Sequence, residues 1–450
     1  MNYAICPLDT RYKETVATIS SHFNEDTLLF SKFRIEIAYL KFIIKHYPTG
    51  IDKEKAFDHI DVSFSDPENA DINYQNTVVN AIREIEKTTK HEIKAIEYFI
   101  RSQFNPSLKI SKDIERFIHF GLTSEDVCSL AYSRSIYYCN LYIKSKIRDL
   151  QNLIFGRRES FNHVMLGRTH GQYAVPTTFY DQLQIFVNRL DQHEISQKVY
   201  CKFGGAIGNL YSLDRINEYF DWEGFFRDFV KNYTDFNVKK LNSRQTTQTD
   251  CGQSFAEIFA ELNTNCRILI DMCQDIWLYN SYGYFTRKKE NGEIGSSTMP
   301  QKINPILFEN AEGNLKIASM WFTFFSNELP ISRLQRDLSG STISRNLGMP
   351  FGYMAVALDN MIKGIEKLEL NVPLLESETD LHHETILEYI QLLLKIENRE
   401  SAYELINEEF AKKAQVSKKD IIDFLEQDEL DIPETVLDSL RDFNINKLTN

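Results

Sequence analysis

Thr123-Ser124-Glu125-Asp126-Val127-Cys128-Ser129-Leu130-Ala131, running on to Ile154, is the stretch that decides the fold class. Two hydroxyls able to cap orphan backbone N–H groups precede two acids that suit the positive end of a helix dipole. Val127, Leu130, Ala131, Leu141, Ile147, Leu150 and Ile154 then recur at helical spacing, enough for about eight turns. Outward from it, further helices are predicted after Pro176, from about Phe255 to Tyr282, after Pro305 from Ile306 to Met320, and from near Ser341. So many long helices in one block predict an all-α protein whose central part is an elongated bundle. Helix faces that stay apolar all round predict an oligomer in which neighbouring subunits complete the core.

Three helical domains suit 450 residues. The first, residues 1–108, carries one face of Val78, Val79, Ile82 and Ile85 and another of Ile93, Ile96, Phe99 and Ile100. Thr88-Thr89-Lys90-His91 falls between those faces, so a helix break there would expose His91. Asn105-Pro106-Ser107 reads as a boundary to the central bundle, residues 109–368, and Asn371-Val372-Pro373 opens a charged C-terminal domain, residues 369–450.

A net charge of −13 argues against nucleic acid or an acidic membrane as the main partner. A small anionic substrate stays admissible, because a pocket can gather arginines that the overall balance hides. No apolar run reaches the length of a membrane span, and the N-terminus lacks the basic and apolar regions of an export signal. Seven scattered cysteines without a Cys-x-x-Cys pair predict a reduced, cytoplasmic chain, with Cys266 and Cys273 as packing residues.

Chemistry is expected on loops. Gly295-Ser296-Ser297-Thr298-Met299-Pro300-Gln301-Lys302-Ile303-Asn304-Pro305 sets hydroxyls, a cation and an amide between two helical segments. A serine there lies close to backbone donors and Lys302, which could stabilise an alkoxide. Gly167-Arg168-Thr169-His170-Gly171-Gln172 reads as a loop joining two helices, with an imidazole between glycines. Gly204-Gly205-Ala206-Ile207-Gly208-Asn209 is glycine-dense, yet no strand precedes it, so it is a poor dinucleotide motif. Gln335 to Arg345 offers two arginines and several hydroxyls at a helix start, a combination that suits phosphate or carboxylate. His382-His383-Glu384 lacks a second histidine four residues on, so no metal site and no cofactor are expected. Spacing alone therefore supports an enzyme that handles anions on its loops.

The segment Gly295–Pro305 matches the fumarase/aspartase superfamily signature, Gly-Ser-x-x-Met-Pro-x-Lys-x-Asn-Pro. Within that superfamily the chain most resembles the adenylosuccinate lyase family in its longer bacterial type. The resemblance rests on Phe308-Glu309-Asn310-x-Glu312-Gly313-Asn314, Thr88-Thr89-x-His91 and His119-Phe120-Gly121-Leu122-Thr123-Ser124-Glu125-Asp126. Arg168-Thr169-His170-Gly171-Gln172, Arg336-Asp337-x-Ser339 and Arg345-Asn346-Leu347-Gly348 add to it. It covers essentially the whole chain, most weakly after about residue 370.

That resemblance implies a C–N lyase of purine synthesis, releasing fumarate by β-elimination from adenylosuccinate, giving AMP, and from SAICAR, giving AICAR. It implies Ser296 as general base and His170 as general acid. It implies substrate contacts from Arg11 and Tyr12, from Lys90, His91 and Glu92, from His119, Thr123 and Ser124, and from Gln248. Lys302, Ile303, Asn304, Asn310, Arg336, Ser341, Thr342, Ile343, Ser344 and Arg345 complete the set. A homotetramer with sites shared between subunits is also implied. The chain departs from the family pattern at Thr10, Glu92, Thr249-Asp250 and Leu307, none of them a proposed acid, base or arginine. The alternatives are argininosuccinate lyase, whose signature also allows Met-Pro-Gln-Lys, and a catalytically silent homologue. Flanking Phe308-Glu309-Asn310 and the purine-type arginines disfavour the former.

Overall fold

The computed structural model describes residues 4–64, 70–196, 199–234, 246–249, 252–286, 299, 303–397, 401–413, 415–427, 430 and 432–445. Among the described residues the regular structure is helical apart from one antiparallel pair of strands, β1 (Val164–Thr169) and β2 (Gln172–Thr178), and an isolated bridge between Phe285 and Leu370. It divides into two compact units, each assembled from separate stretches. Among the described residues no helix is long and apolar enough to cross a membrane.

The first unit comprises Met1–Lys146, His193–Arg267 and Asn314–Ala357. Its Glu25–His46 helix begins where Asn24 Oδ1 accepts the Thr27 N–H at 2.7 Å, with Glu25 and Asp26 in the first turn. Leu29, Phe33, Leu40 and Ile43 of that helix are buried in an aromatic-rich core. Tyr39 lies at the centre of it, with ring centroids 5.3 Å from Phe229 and 5.8 Å from Phe203. A fully buried aromatic of this size contributes roughly 1.5–3 kcal/mol through area removed from water. Its hydroxyl is satisfied by donating to the Phe120 carbonyl at 2.7 Å, which ties the core to the turn that carries His119. A second aromatic group, Phe259, Phe322, Phe325 and Phe351, joins the helices Gln253–Tyr282, Ile306–Glu328 and Gly348–Lys367.

The second unit comprises Ile147–Gln192, Ile268–Gly313 and Leu358–Asn450. Phe179 packs edge-on against Phe161 and Phe285, with centroids 5.0 and 5.1 Å away. Arg157 lies 4.6 Å over the Phe161 ring and donates to the carbonyls of Ile365, Glu366 and Leu368. A cation there satisfies the orphan carbonyls at a helix C-terminus. The helices Leu387–Ile396, Ala402–Phe410, Lys418–Leu425 and Glu434–Arg441 enclose a separate apolar cluster that also takes in Val164 of β1. Ser417 and Asp420 form a reciprocal capping box at the third of these.

The long helices fall where the spacing predicts them: Ser124–Gly156, Phe179–Gln192, Gln253–Tyr282 and Ile306–Glu328. Cys266 and Cys273 are buried, as expected for packing residues. Two readings need correction. Gly167–Gln172 is no loop between helices but the end of a β-hairpin, whose strands draw on β-branched and aromatic residues from Val164 to Thr178. Instead of one helix from near Ser341, Ser339–Ser344 forms a short helix and Gly348–Lys367 a new one. Pro350 explains the break: it has no N–H to donate to the previous turn and fits only the first turn of a helix.

Candidate active site

In the first unit the predicted break at Thr88–His91 is present. The Ile72–Thr89 helix ends at Lys90, whose φ of 52° is left-handed, and its N–H bonds to the Glu86 carbonyl at 2.8 Å. His91 caps the next helix, Glu92–Ser102: its Nδ1 accepts the Lys94 N–H at 3.1 Å, which leaves the ring proton on Nε2. Both Lys90 and His91 are exposed. Glu92 is paired with Lys32, a nearly buried lysine that also lies 5.7 Å over the Tyr132 ring. Burial would lower the Lys32 pKa, but the surrounding Cys128, Glu92 and Tyr132 outweigh it and raise it, so the ammonium stays charged. Burial pushes the neighbouring Cys128 thiol up to about 12, which makes it inert at neutral pH.

A second group of residues is held by Asp126. Its carboxylate accepts the N–H of Thr123 at 2.8 Å, Gly204 at 2.8 Å and Gly205 at 3.1 Å, and pairs with Lys202 at 2.6 Å. One fully buried acid thereby caps the Ser124–Gly156 helix and pins the glycine-dense segment beside Thr123 and Ser124, both half-buried. From there the contacts continue. Gln248 donates to the Ala206 carbonyl at 2.9 Å, and its Oε1 accepts from Arg336 at 2.6 Å. Arg336 donates to Ser341 Oγ at 3.0 Å and lies 3.4 Å from Glu125. His119, with φ of 57°, places Nδ1 2.6 Å from Glu36 Oε1. The first unit thus links Thr123, Gln248, Arg336 and Ser341 through Asp126, Glu125 and the glycine-dense segment, with Ser124 beside Thr123 in the chain. Ile343 and Ser344 are half-buried and Thr342 exposed on the short helix after Ser341. Arg11, 5.9 Å over the Tyr12 ring, and Arg345 are exposed and stand outside that network.

In the second unit, Thr169 pairs with Gln172, so His170-Gly171 is a two-residue hairpin tip. Their φ values, 52° and 75°, are both positive, as a primed turn requires. A histidine held there is strained for a non-glycine residue, a feature that concentrates at functional sites. The imidazole is exposed at the tip, and the strands below it are anchored. Arg168 lies 4.0 Å over the Tyr173 ring and 4.5 Å over the Tyr282 ring. Tyr173 also packs on His382 at 4.1 Å, and His382 Nδ1 lies 2.7 Å from Glu384. Tyr284 donates to Glu378 at 2.7 Å. Asn310, half-buried on the Ile306–Glu328 helix, accepts from Asn360 at 2.7 Å, and Ile303 and Asn304 are half-buried just before that helix. Ser296 and Lys302 lie outside the described residues.

Glu36, Lys32, Asp126 and Lys202 escape a reading for functional residues, although each supports a residue that such a reading selects. A signal did exist for two of them. Lys32 and Glu36 are charges one turn apart on a helix face whose other residues, Leu29, Phe33, Leu40 and Ile43, are apolar.

The family model described as Lyase matches residues 31–318, and that described as Adenylosuccinate lyase C-terminal matches residues 332–449. The chain is 36% identical to the adenylosuccinate lyase of Dictyostelium discoideum, covering 97% of this chain and 94% of that protein. It is 33% identical to the adenylosuccinate lyase of Escherichia coli K12, covering 90% of this chain and 88% of that protein. The fold is similar to a fumarate lyase from Mesorhizobium sp. BNC1, with a TM-score of 0.73 at 16% identity, covering 96% of this chain and 94% of that one. It is similar also to the 3-carboxy-cis,cis-muconate lactonizing enzyme of Pseudomonas putida, with a TM-score of 0.68 at 18% identity, covering 94% and 92%. Two family models spanning most of the sequence, and relatives above 30% identity along nearly its whole length, make this chain a member of the adenylosuccinate lyase family.

Proposed function

We propose that the chain is a C–N lyase that eliminates fumarate from adenylosuccinate, leaving AMP, and from SAICAR, leaving AICAR. Its similarity to the Dictyostelium discoideum adenylosuccinate lyase along 97% of its length carries this reading. Ser296 removes the proton from the succinyl carbon beside a carboxylate, and His170 protonates the departing nitrogen. The first step builds dianion character on that carboxylate, which demands fixed donors and cations where charge develops. Lys302 and Asn304 are assigned to it. An imidazole suits the second step because it titrates near neutral pH. Serine is a poor base unless water is excluded, so closure of the signature segment is part of the assignment.

The substrate carries a phosphate and two carboxylates on a chain of net charge −13, so local cations must offset them. Arg336, which donates to Gln248 and Ser341, is assigned together with Gln248 to polar substrate groups; Arg11, Tyr12, Ser341 and Arg345 are assigned to the phosphate. Lys90, His91, Glu92, His119, Thr123, Ser124, Ile303, Asn310, Thr342, Ile343 and Ser344 complete the substrate set. The enzyme acts in the cytoplasm as a homotetramer whose sites draw on more than one subunit.

Purified protein supplied with adenylosuccinate tests the reading. Fumarate and AMP should form, and Ser296→Ala and His170→Ala should each slow turnover by about 10²–10⁴-fold. Turnover of argininosuccinate instead would overturn it. Activity regained on mixing the two inactive variants would support shared sites, and a fully active monomer would refute them.

A further inference from the structure

Glu36 is a carboxylate at 1% exposure on an apolar helix face, and nothing in the proposed reaction uses it. One oxygen lies 2.6 Å from His119 Nδ1, and the other has no hydrogen-bond partner among the described residues. Desolvating a carboxylate this way is unfavourable unless a charged partner offsets it. Among the described residues, three acids lie close enough to act on His119: Glu36 from the Glu25–His46 helix, Glu97 from Glu92–Ser102 and Asp126 from Ser124–Gly156. Asp126 is occupied by Lys202 and three backbone N–H groups, and Glu97 by Lys94 at 2.8 Å. Of these three, Glu36 is the one that has no Lys or Arg partner among the described residues, and it is left to the imidazole.

We propose that Glu36 is the positioning residue of His119: it accepts a hydrogen bond from Nδ1–H, fixes the ring, and leaves Nε2–H to donate to an oxyanion of the substrate. This rests on the lyase reading and assigns His119 the part of a fixed hydrogen-bond donor, not a proton shuttle. Burial would lower the His119 pKa, yet the carboxylates, Glu36 foremost, outweigh it and raise it. The backbone supports the same part. His119 sits at a left-handed φ of 57°, and the next carbonyl is anchored by Tyr39, so the ring has a set origin.

Glu36→Gln keeps the shape and removes the charge. We expect KM for adenylosuccinate to rise by about tenfold or more at neutral pH with kcat changed less. The alkaline fall of kcat/KM should move to lower pH, and Glu36→Asp should restore part of both. Added to His119→Gln, Glu36→Gln should change neither further, which a purely structural role would not produce. Inhibition by the products identifies the oxyanion: weakened AMP binding in Glu36→Gln marks the phosphate, and weakened fumarate binding a carboxylate. A folded Glu36→Gln chain with unchanged KM and alkaline limb overturns the inference while leaving the lyase reading intact. Should that variant fail to fold, Glu36→Asp with an unchanged KM and alkaline limb overturns it equally. A wild-type chain that does not turn over adenylosuccinate overturns both.

Discussion

Lys202 and Asp126 form an ion pair 2.6 Å long in which neither side chain has any exposure to solvent. Lys202 also donates to the Gly205 carbonyl, so both partners hold the glycine-dense segment. Removing one partner of such a pair leaves an uncompensated buried charge, at a cost of about 3–5 kcal/mol. Lys202→Met should therefore lower the denaturant midpoint strongly, and Lys202→Met with Asp126→Asn should lower it less. Equal midpoints for the single and double variants would contradict this account.

Arg336 uses both terminal nitrogens, one on Gln248 and one on Ser341. A lysine at that position has one ammonium and cannot fork. Arg336→Lys should cut kcat/KM for adenylosuccinate by about 10- to 100-fold, the equivalent of one or two charged hydrogen bonds. Steady-state kinetics at fixed ionic strength would measure it, and wild-type values would remove Arg336 from the substrate set.

Gly208 has φ of +69°, and a Cβ there would lie 2.4 Å from Thr246 Cγ2 and 2.6 Å from the Thr246 carbonyl. Gly208→Ala thus combines left-handed strain with a backbone clash, together about 1–3 kcal/mol. Because the clash falls two residues before Gln248, KM should rise along with a lower melting temperature. Hydrogen exchange across residues 246–249 should quicken in the variant.

His22 and His119 set opposite pH dependences on stability. Burial first, then Arg134, lowers the His22 pKa from the ordinary 6.5. The neutral ring that stacks on Tyr138 is therefore favoured in the fold, and its contribution is complete above 6.5 and lost as pH falls through the lower folded value. His119, raised, contributes below 6.5 and loses that contribution as pH rises through its folded value. Melting temperatures from neutral pH downward should fall less steeply in His22→Leu than in the wild type. Identical slopes would rule His22 out.

Local pattern carried much of this protein. The Ser124–Gly156 helix announces itself by caps and spacing, and the Lys90–His91 break lies where two apolar faces fall out of phase. The hairpin did not announce itself, because Gly167 and Gly171 mask strand residues such as Tyr173, Val175 and Thr177 as loop. The supports of the site are hidden for another reason. His119 and Glu36 are 83 residues apart, and only tertiary packing decides that this carboxylate, rather than Glu97 or Asp126, meets the imidazole.

The hairpin tip has a consequence for engineering. Exposed turns are the usual places to insert a tag or open a chain for circular permutation. Here the turn is two residues long, and strand side chains alternate faces, so one inserted residue would move Arg168 or Tyr173 to the opposite side. Their stacked contact at 4.0 Å would be lost together with the backbone angle of His170. The position of His170 is specified by turn length together with the anchoring of Arg168 and Tyr173. A change of turn length would therefore disturb His170 more directly than a substitution at an exposed strand position such as Val175.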